Sequence, residues 1–282
     1  MKKVLVTGAS GQLGQCVKRL SSRYQELEFT FASSDDLDLT LFGVVSAYLR
    51  LHEFDYCINC AAYTKVEQAE KEQEMAYLIN AEAVKNLAAN CAENDCVLIH
   101  ISTDYVFDGK QETPYTEDDE TCPLNVYGAS KLMGEEYIRG LMEDYFIFRT
   151  SWLYSDIGHN FFNTIRKKAE AGEELNITTT QKGTPTNAYD LAEFILELIA
   201  NDNQNFGTYH YSNLGEATWY DFAEEILKHM KTNSQLKVNN DFQTIATRPE
   251  YSVLSKEKLQ NAFSTPVEDW KVSLEKLISD LG

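Results

Sequence analysis

Thr7-Gly8-Ala9-Ser10-Gly11-Gln12-Leu13-Gly14 follows directly on an apolar run, Val4-Leu5-Val6, and leads into a stretch with helical patterning. Three glycines between a strand and a helix have a physical reading. Gly8 permits the tight turn, Gly11 lets a pyrophosphate approach the backbone, and Gly14 lets the helix pack close to the sheet. The start of the helix then offers free N–H groups and a partial positive charge to phosphates. The glycine spacing is three and three, not the two and three of the commonest dinucleotide fingerprint, so the strand-first, helix-after context carries the reading. It predicts a dinucleotide-binding turn made of Gly8, Ser10, Gly11, Gln12, Leu13 and Gly14. The bland alternative is an ordinary glycine-rich connection.

Working outward, the first half alternates apolar runs with helical patterns. Strands are expected at 4–7, 27–32, 56–59, 97–102 and 145–149, with helices near 12–22, 40–52, 74–93 and 126–142. Such alternation predicts an α/β fold: a Rossmann-type doubly wound parallel sheet with right-handed crossovers. The second half is less regular. Helices are expected at 159–171, 187–200 and 218–230, and short strands near 174–177 and 208–211. An Asn/Gln/Thr-rich stretch at 231–244 and proline-bearing segments near 249 and 266 interrupt the pattern. The division expected is an NAD(P)-binding Rossmann domain at 1–150, its sheet completed by parts of 174–211, and a smaller, mainly substrate-binding cap at 151–282.

The chain has 282 residues, enough for a substantial core, and 25 basic residues against 44 acidic ones, a net charge of −19. That charge repels a phosphate backbone and argues against nucleic-acid binding. An anionic substrate would need a local basic site. No stretch approaches the roughly 20 apolar residues of a membrane span, and the N-terminal run is too short for a signal peptide. The six cysteines, at 16, 57, 60, 91, 96 and 122, include one Cys-x-x-Cys pair with no partner cluster, so free thiols and a cytoplasmic location are expected, with no metal. Glu117-Asp118-Asp119-Glu120 reads as a solvated loop, His100 as a core histidine, and Trp219 and Trp270 as packing residues.

The other strand ends carry further candidates. After the second strand, an acidic residue would favour NAD and an arginine NADP. Ser33 and Ser34 come first and no arginine follows, so NADPH and NADH both stay open, with Ser33, Asp38 and Leu39 as candidate contacts. After the third strand, Asn59-Cys60-Ala61-Ala62 is small enough for a flat cofactor to pass the backbone, and Cys60, Ala61, Ala62 and Tyr63 join the candidates. After the fourth come Ser102, Thr103 and Asp104, with Tyr127 and Lys131 downstream. Tyr127 and Lys131 are four apart and share a helix face. A ketone being reduced needs a proton as hydride arrives. A tyrosine can supply it, and a lysine cation beside it stabilises the tyrosinate. A strand-tip hydroxyl can bind the same carbonyl oxygen. Thr103, Tyr127 and Lys131 are therefore the candidate catalytic set, and Ser102, Tyr127 and Lys131 are also placed against the cofactor.

Together with Ile101-Ser102-Thr103-Asp104-Tyr105-Val106-Phe107, Pro123-Leu124-Asn125-Val126-Tyr127-Gly128 and Phe148-Arg149-Thr150-Ser151-Trp152, these residues resemble the extended short-chain dehydrogenase/reductase family. Gly183-Thr184-Pro185-Thr186, Thr218-Trp219-Tyr220-Asp221-Phe222 and Arg248-Pro249 extend the likeness over nearly the whole chain. The resemblance implies reduction by NAD(P)H of the C4 keto group of dTDP-4-dehydro-L-rhamnose. It also implies that Val66, Thr103, Asp104, Tyr127 and Trp152 line the sugar site and that Arg248 holds the diphosphate. Some relatives dimerise around a carboxylate-held magnesium ion. Gln15-Cys16 and Tyr189 stand where such members have carboxylates, so a monomer or weak homodimer without metal is expected. The rival readings are a reductase or epimerase of another nucleotide sugar, and a non-catalytic, cofactor-binding regulatory subunit. Retention of Thr103, Tyr127 and Lys131 argues against the latter.

Overall fold

Val4, Leu5 and Val6 have no exposed surface at all, as a strand covered by helices on both faces requires. They form the centre of β1 (Lys2–Thr7) in a computed structural model that describes residues 1–230, 234–241 and 243–281. The strands β2 (Leu27–Ala32), β3 (Tyr56–Asn59), β4 (Val97–Thr103), β5 (Tyr145–Thr150) and β6 (Gly207–His210) complete one parallel sheet, in the order β6-β5-β4-β3-β1-β2. The chain reverses its direction of travel between β1 and β3, and ligands bind outside the carboxyl ends of the strands at such a switch point. The glycine turn and residues 60–62 both lie there.

Eight helices bear on the argument: α1 (Gln12–Leu20), α2 (Phe42–His52), α3 (Ala83–Glu93), α4 (Val126–Leu141), α5 (Phe161–Glu170), α6 (Ala188–Ala200), α7 (Trp219–Met230) and α8 (Trp270–Leu281). One sheet face packs on α1 and α6 through Leu13, Val17, Leu191 and Ile195. The opposite face packs on α2, α3 and α4 through Val45, Leu49, Val84, Leu87 and Ile138. A separate core, with Phe162, Phe222, Trp270 and Leu274 at its centre, joins α5, α7 and α8 into the cap.

Three expectations change in detail. The helix expected at 74–93 is three pieces: Gln73–Tyr77, a π-helical stretch Leu78–Glu82, and α3. Fully buried Asn80 explains the break. Its amide bonds the backbone of Tyr63 from both ends and the Ser130 hydroxyl, while its carbonyl lies where a Cβ on Gly134 of α4 would come within 2.3 Å. Of the two short strands expected late in the chain, only the second joins the main sheet. Leu175–Ile177 pairs instead with Leu236–Val238. Of the stretch 231–244, residues 231–233 and 242 lie outside the described residues. Glu117 departs from its expected solvated loop, since it accepts a hydrogen bond from the His210 backbone N–H and burial raises its pKa. Among the described residues no helix is long and apolar enough to cross a membrane.

Candidate active site

A cavity of about 610 Å³ opens at the switch point. Its floor is the glycine turn. Gly8 sits at φ +61°, a backbone state that side-chain-bearing residues avoid, and a Cβ there would stand 2.6 Å from the Ala61 nitrogen. A Cβ on Gly14 would meet the Gly8 carbonyl at 2.6 Å, so the turn and α1 close on one another. Gly11 is the N-cap of α1, extended and without a side-chain cap. The first amides of the helix therefore keep their donor capacity where Ser10, Gly11, Gln12 and Leu13 line the cavity. Cys60 and Ala62 form the adjoining wall. A shallow floor with uncapped amides is the environment a dinucleotide pyrophosphate requires.

The opposite wall brings Ser102, Thr103, Asp104, Tyr127 and Lys131 together. Asn125 caps α4 by accepting from the Gly128 N–H at 2.8 Å, which fixes Tyr127 in the first turn over the tip of β4. Burial pushes the Tyr127 phenol up to about 12, the Thr103 hydroxyl beside it pulls the other way, and the Asp104 charge adds to the rise. Buried Lys131 is pulled down to about 8 by loss of water, against the opposing pull of Glu135 and Cys60. Its ammonium group lies 2.5 Å from the Ile101 carbonyl and 3.1 Å from His100 Nε2. Asp104 takes the Thr103 hydroxyl on Oδ1 at 3.0 Å; its buried Oδ2 has no partner within hydrogen-bond distance, and the nearby Ser252 hydroxyl, with that of Thr103, opposes the effect of burial on the carboxyl. Burial pushes this carboxyl up to about 6. An orphaned acceptor at a cavity wall is a place for a ligand hydroxyl.

The Tyr127–Lys131 stripe continues by fours to Glu135 and Arg139, a helical spacing visible in the sequence itself. Glu135 is fully buried. Burial alone would raise its pKa, yet Arg149 holds it lowered. It accepts from the Ser102 hydroxyl at 2.5 Å and from Arg149 Nη2 at 2.7 Å. The Ser102 hydroxyl expected to face a cofactor is thus spent on anchoring β4 to α4, though Ser102 still lines the cavity.

The cap closes the remaining side. Trp152, at φ +45°, stacks on Trp219 with ring centres 3.6 Å apart, and Phe161 lies 4.6 Å from Trp219. Gly183 makes this possible: a Cβ there would fall 2.7 Å from the Trp152 ring. Trp219, expected as packing, is part of the cavity wall, whereas Trp270 is core as expected. Asn160 caps α5 and donates to Gln12 Oε1 at 2.6 Å, tying the cap to the glycine turn. Gln15, Thr64, Tyr105, Thr150, Leu153 and His159, none of them a sequence-based site candidate, also line the cavity.

Other candidates lie apart from it. Leu39 belongs to the core beside α2, and Asp38 folds back to cap Thr40. Ser33 is held by Asp36 in a local turn. Ala61 is pressed against Gly8, and the Tyr63 hydroxyl donates to Glu72. Val66 lines the cavity; Arg248 does not line it, but is paired with Glu67 at 2.6 Å and lies beside Tyr105, which does. At the place noted for metal-binding relatives, Tyr189 donates to Asp156, which also pairs with Arg19 at 2.7 Å.

The profile of the family described as RmlD substrate binding domain matches residues 1–282. The spore coat polysaccharide biosynthesis protein SpsK of Bacillus subtilis is 37% identical, with 99% of this chain and 98% of that protein covered. The dTDP-4-dehydrorhamnose reductase of Escherichia coli K12 is 35% identical over 99% and 97%. The solved dTDP-4-dehydrorhamnose reductase of Bacillus anthracis, in complex with NADP, superimposes with a TM-score of 0.96 at 36% identity, covering 99% of this chain and all of that one. The resemblance carried by the Ser-Thr-Asp-Tyr and Arg-Thr-Ser-Trp strings thus runs through the whole fold, and the chain belongs to the RmlD substrate binding domain family.

Proposed function

We propose that this chain reduces the C4 keto group of dTDP-4-dehydro-L-rhamnose to the alcohol, with Tyr127 as proton donor. The chain is an NAD(P)H-dependent oxidoreductase of the dTDP-4-dehydrorhamnose reductase type. The observation that carries the proposal is the convergence of Thr103, Tyr127 and Lys131 on the cavity that the uncapped start of α1 also faces. When bound, NADPH or NADH supplies the hydride. Residues 10–13, Cys60 and Ala62 would hold it.

The chain's own residues do the rest. Tyr127 keeps its proton throughout the neutral range, as an acid must before it acts. The Thr103 hydroxyl, turning from Asp104 Oδ1 to the substrate, orients the carbonyl oxygen beside that phenol. A cationic Lys131 favours the tyrosinate left once the proton has moved. Asp104 Oδ2 offers its free acceptor to a sugar hydroxyl, and the Trp152–Trp219 stack covers the sugar and keeps water out. Arg248, once released from Glu67, would meet the diphosphate at the rim. The test is steady-state oxidation of NADPH and of NADH with dTDP-4-dehydro-L-rhamnose, with the product sugar identified. A chain that binds the cofactor but turns over no 4-keto nucleotide sugar would end this reading.

A further inference from the structure

Beneath the cavity, four polar side chains from three adjacent strands and α4 form a buried line. Thr7 donates to Asn59 Oδ1 at 2.7 Å, Asn59 Nδ2 meets His100 Nδ1 at 3.0 Å, and His100 Nε2 meets Lys131 Nζ at 3.1 Å. Thr7, Asn59, His100 and Lys131 are each at most 1% exposed. With no water to rescue a mismatch, donors and acceptors along this line have to match.

Asn59 fixes the direction of the whole line. Its Oδ1 also accepts the backbone N–H of Ala61 at 3.2 Å, and a backbone N–H can only donate. The amide is therefore oriented, and its NH2 faces His100. Nδ1 of His100 must then be the bare, accepting nitrogen. Burial drives the imidazole pKa far down, so the ring is neutral and its single proton sits on Nε2. That N–H points at Lys131. An ammonium cannot accept it, but a neutral amine can, keeping one N–H for the Ile101 carbonyl and one for the cavity.

We propose that His100 is a positioning residue that sets the charge of Lys131: locked by Asn59 with its proton on Nε2, it favours the amine over the ammonium. The groups acting on this pair are Cys60 from the end of β3 and Glu135 from α4, and Tyr127 lines the same cavity as Lys131. Glu135 opposes the effect, and the Cys60 thiol, raised to about 12, stays neutral and cannot titrate in its place. Lys131 consequently exchanges its proton close to neutral pH, where a unit that must refill Tyr127 after each turnover needs an exchangeable proton. That use in catalysis rests on the role given to Lys131 above; the hydrogen-bond assignment does not.

The test is nitrogen NMR of the ring of His100 in the cofactor-free wild-type protein, assigned with His100→Gln. It is joined to titration of the Lys131 side chain, assigned with Lys131→Met. The expected result is a protonated Nε2 and a bare Nδ1. In His100→Leu, Lys131 should titrate about one pH unit higher, since the amine loses its donor, while the amide of His100→Gln restores most of the difference. A proton on Nδ1 in the wild type would overturn the proposal, as would an unchanged Lys131 titration in folded His100→Leu. If His100→Leu does not fold, the wild-type tautomer decides alone. If the protein reduces no nucleotide sugar, the tautomer measurement still stands and only the catalytic use falls.

Discussion

The sheet wall and the cap wall of the cavity are built on different principles. The sheet wall comes from strand tips: a turn of four residues, 8–11, after β1, three small residues after β3, and a hydroxyl–carboxyl pair at the end of β4 beside the first turns of α4. Its polar groups are buried and cross-braced, with Ser102 on Glu135 and Lys131 on His100. The cap wall is mostly aromatic and assembled from distant segments, Trp152, Phe161 and Trp219, stacked on one another and admitted by Gly183. The first wall can direct charge and protons. The second supplies shape and dryness. Changes on the sheet side should therefore strike cofactor binding and turnover, and changes on the cap side should strike the sugar's Michaelis constant.

The sharpest way to break this contrast is Gly11→Val. A branched side chain would stand at the uncapped start of α1, with the Gly8 carbonyl already 3.1 Å from its Cβ. The folded variant should show no measurable NADPH binding by calorimetry. Unchanged affinity would move the phosphates away from this turn. Next in size is Tyr127→Phe, which should cut turnover by roughly 10²-fold or more while cofactor affinity is kept, general-acid help being worth about that much. A wild-type rate would remove Tyr127 as donor.

On the far side, Arg248→Ala should raise the Michaelis constant of the sugar nucleotide by roughly 10- to 100-fold and spare NADPH affinity, since an arginine–phosphate contact is worth on the order of 1.5–3 kcal/mol. The existing pair with Glu67 favours the lower end. A change within about twofold is what a rim ion pair alone would give. The smallest expected effect is a pH limb. Lys131 is depressed to about 8, so its charge disappears as pH rises through that value. The rate of reduction should then fall about tenfold per pH unit above it. A profile flat to pH 10 would separate Lys131 from the chemistry.

The same contrast explains what could be read from the sequence. Strand-tip chemistry is local: Thr7 to Gly14, Asn59 to Ala62 and Ser102 to Asp104 each carry their meaning within a few residues, and the alternation of strand and helix places them at one edge. Tyr127 and Lys131 add only a helical repeat. Glu135 was within reach of that repeat, but an acidic residue on a helix usually faces water, and only its pairing with Arg149 shows otherwise. Trp219 was not legible, because its place depends on stacking with a residue 67 positions away. Leu175–Ile177 and β6 are both short strands of mixed polarity, and neither names its partner strand. Asp38 and Leu39 lie near the end of β2, yet one caps a turn and the other fills the core beneath it.

The most direct measurement follows the hydride itself. The chain would be given NADPH or NADH deuterated at the transferable position of the nicotinamide, together with dTDP-4-dehydro-L-rhamnose, and the product sugar examined by NMR. The predicted result is deuterium on C4 of dTDP-L-rhamnose, formed by the wild type and almost undetectably by Tyr127→Phe. Deuterium at any other carbon, or equal label from both proteins, would contradict the assignment of this cavity to C4 keto reduction with Tyr127 as its acid.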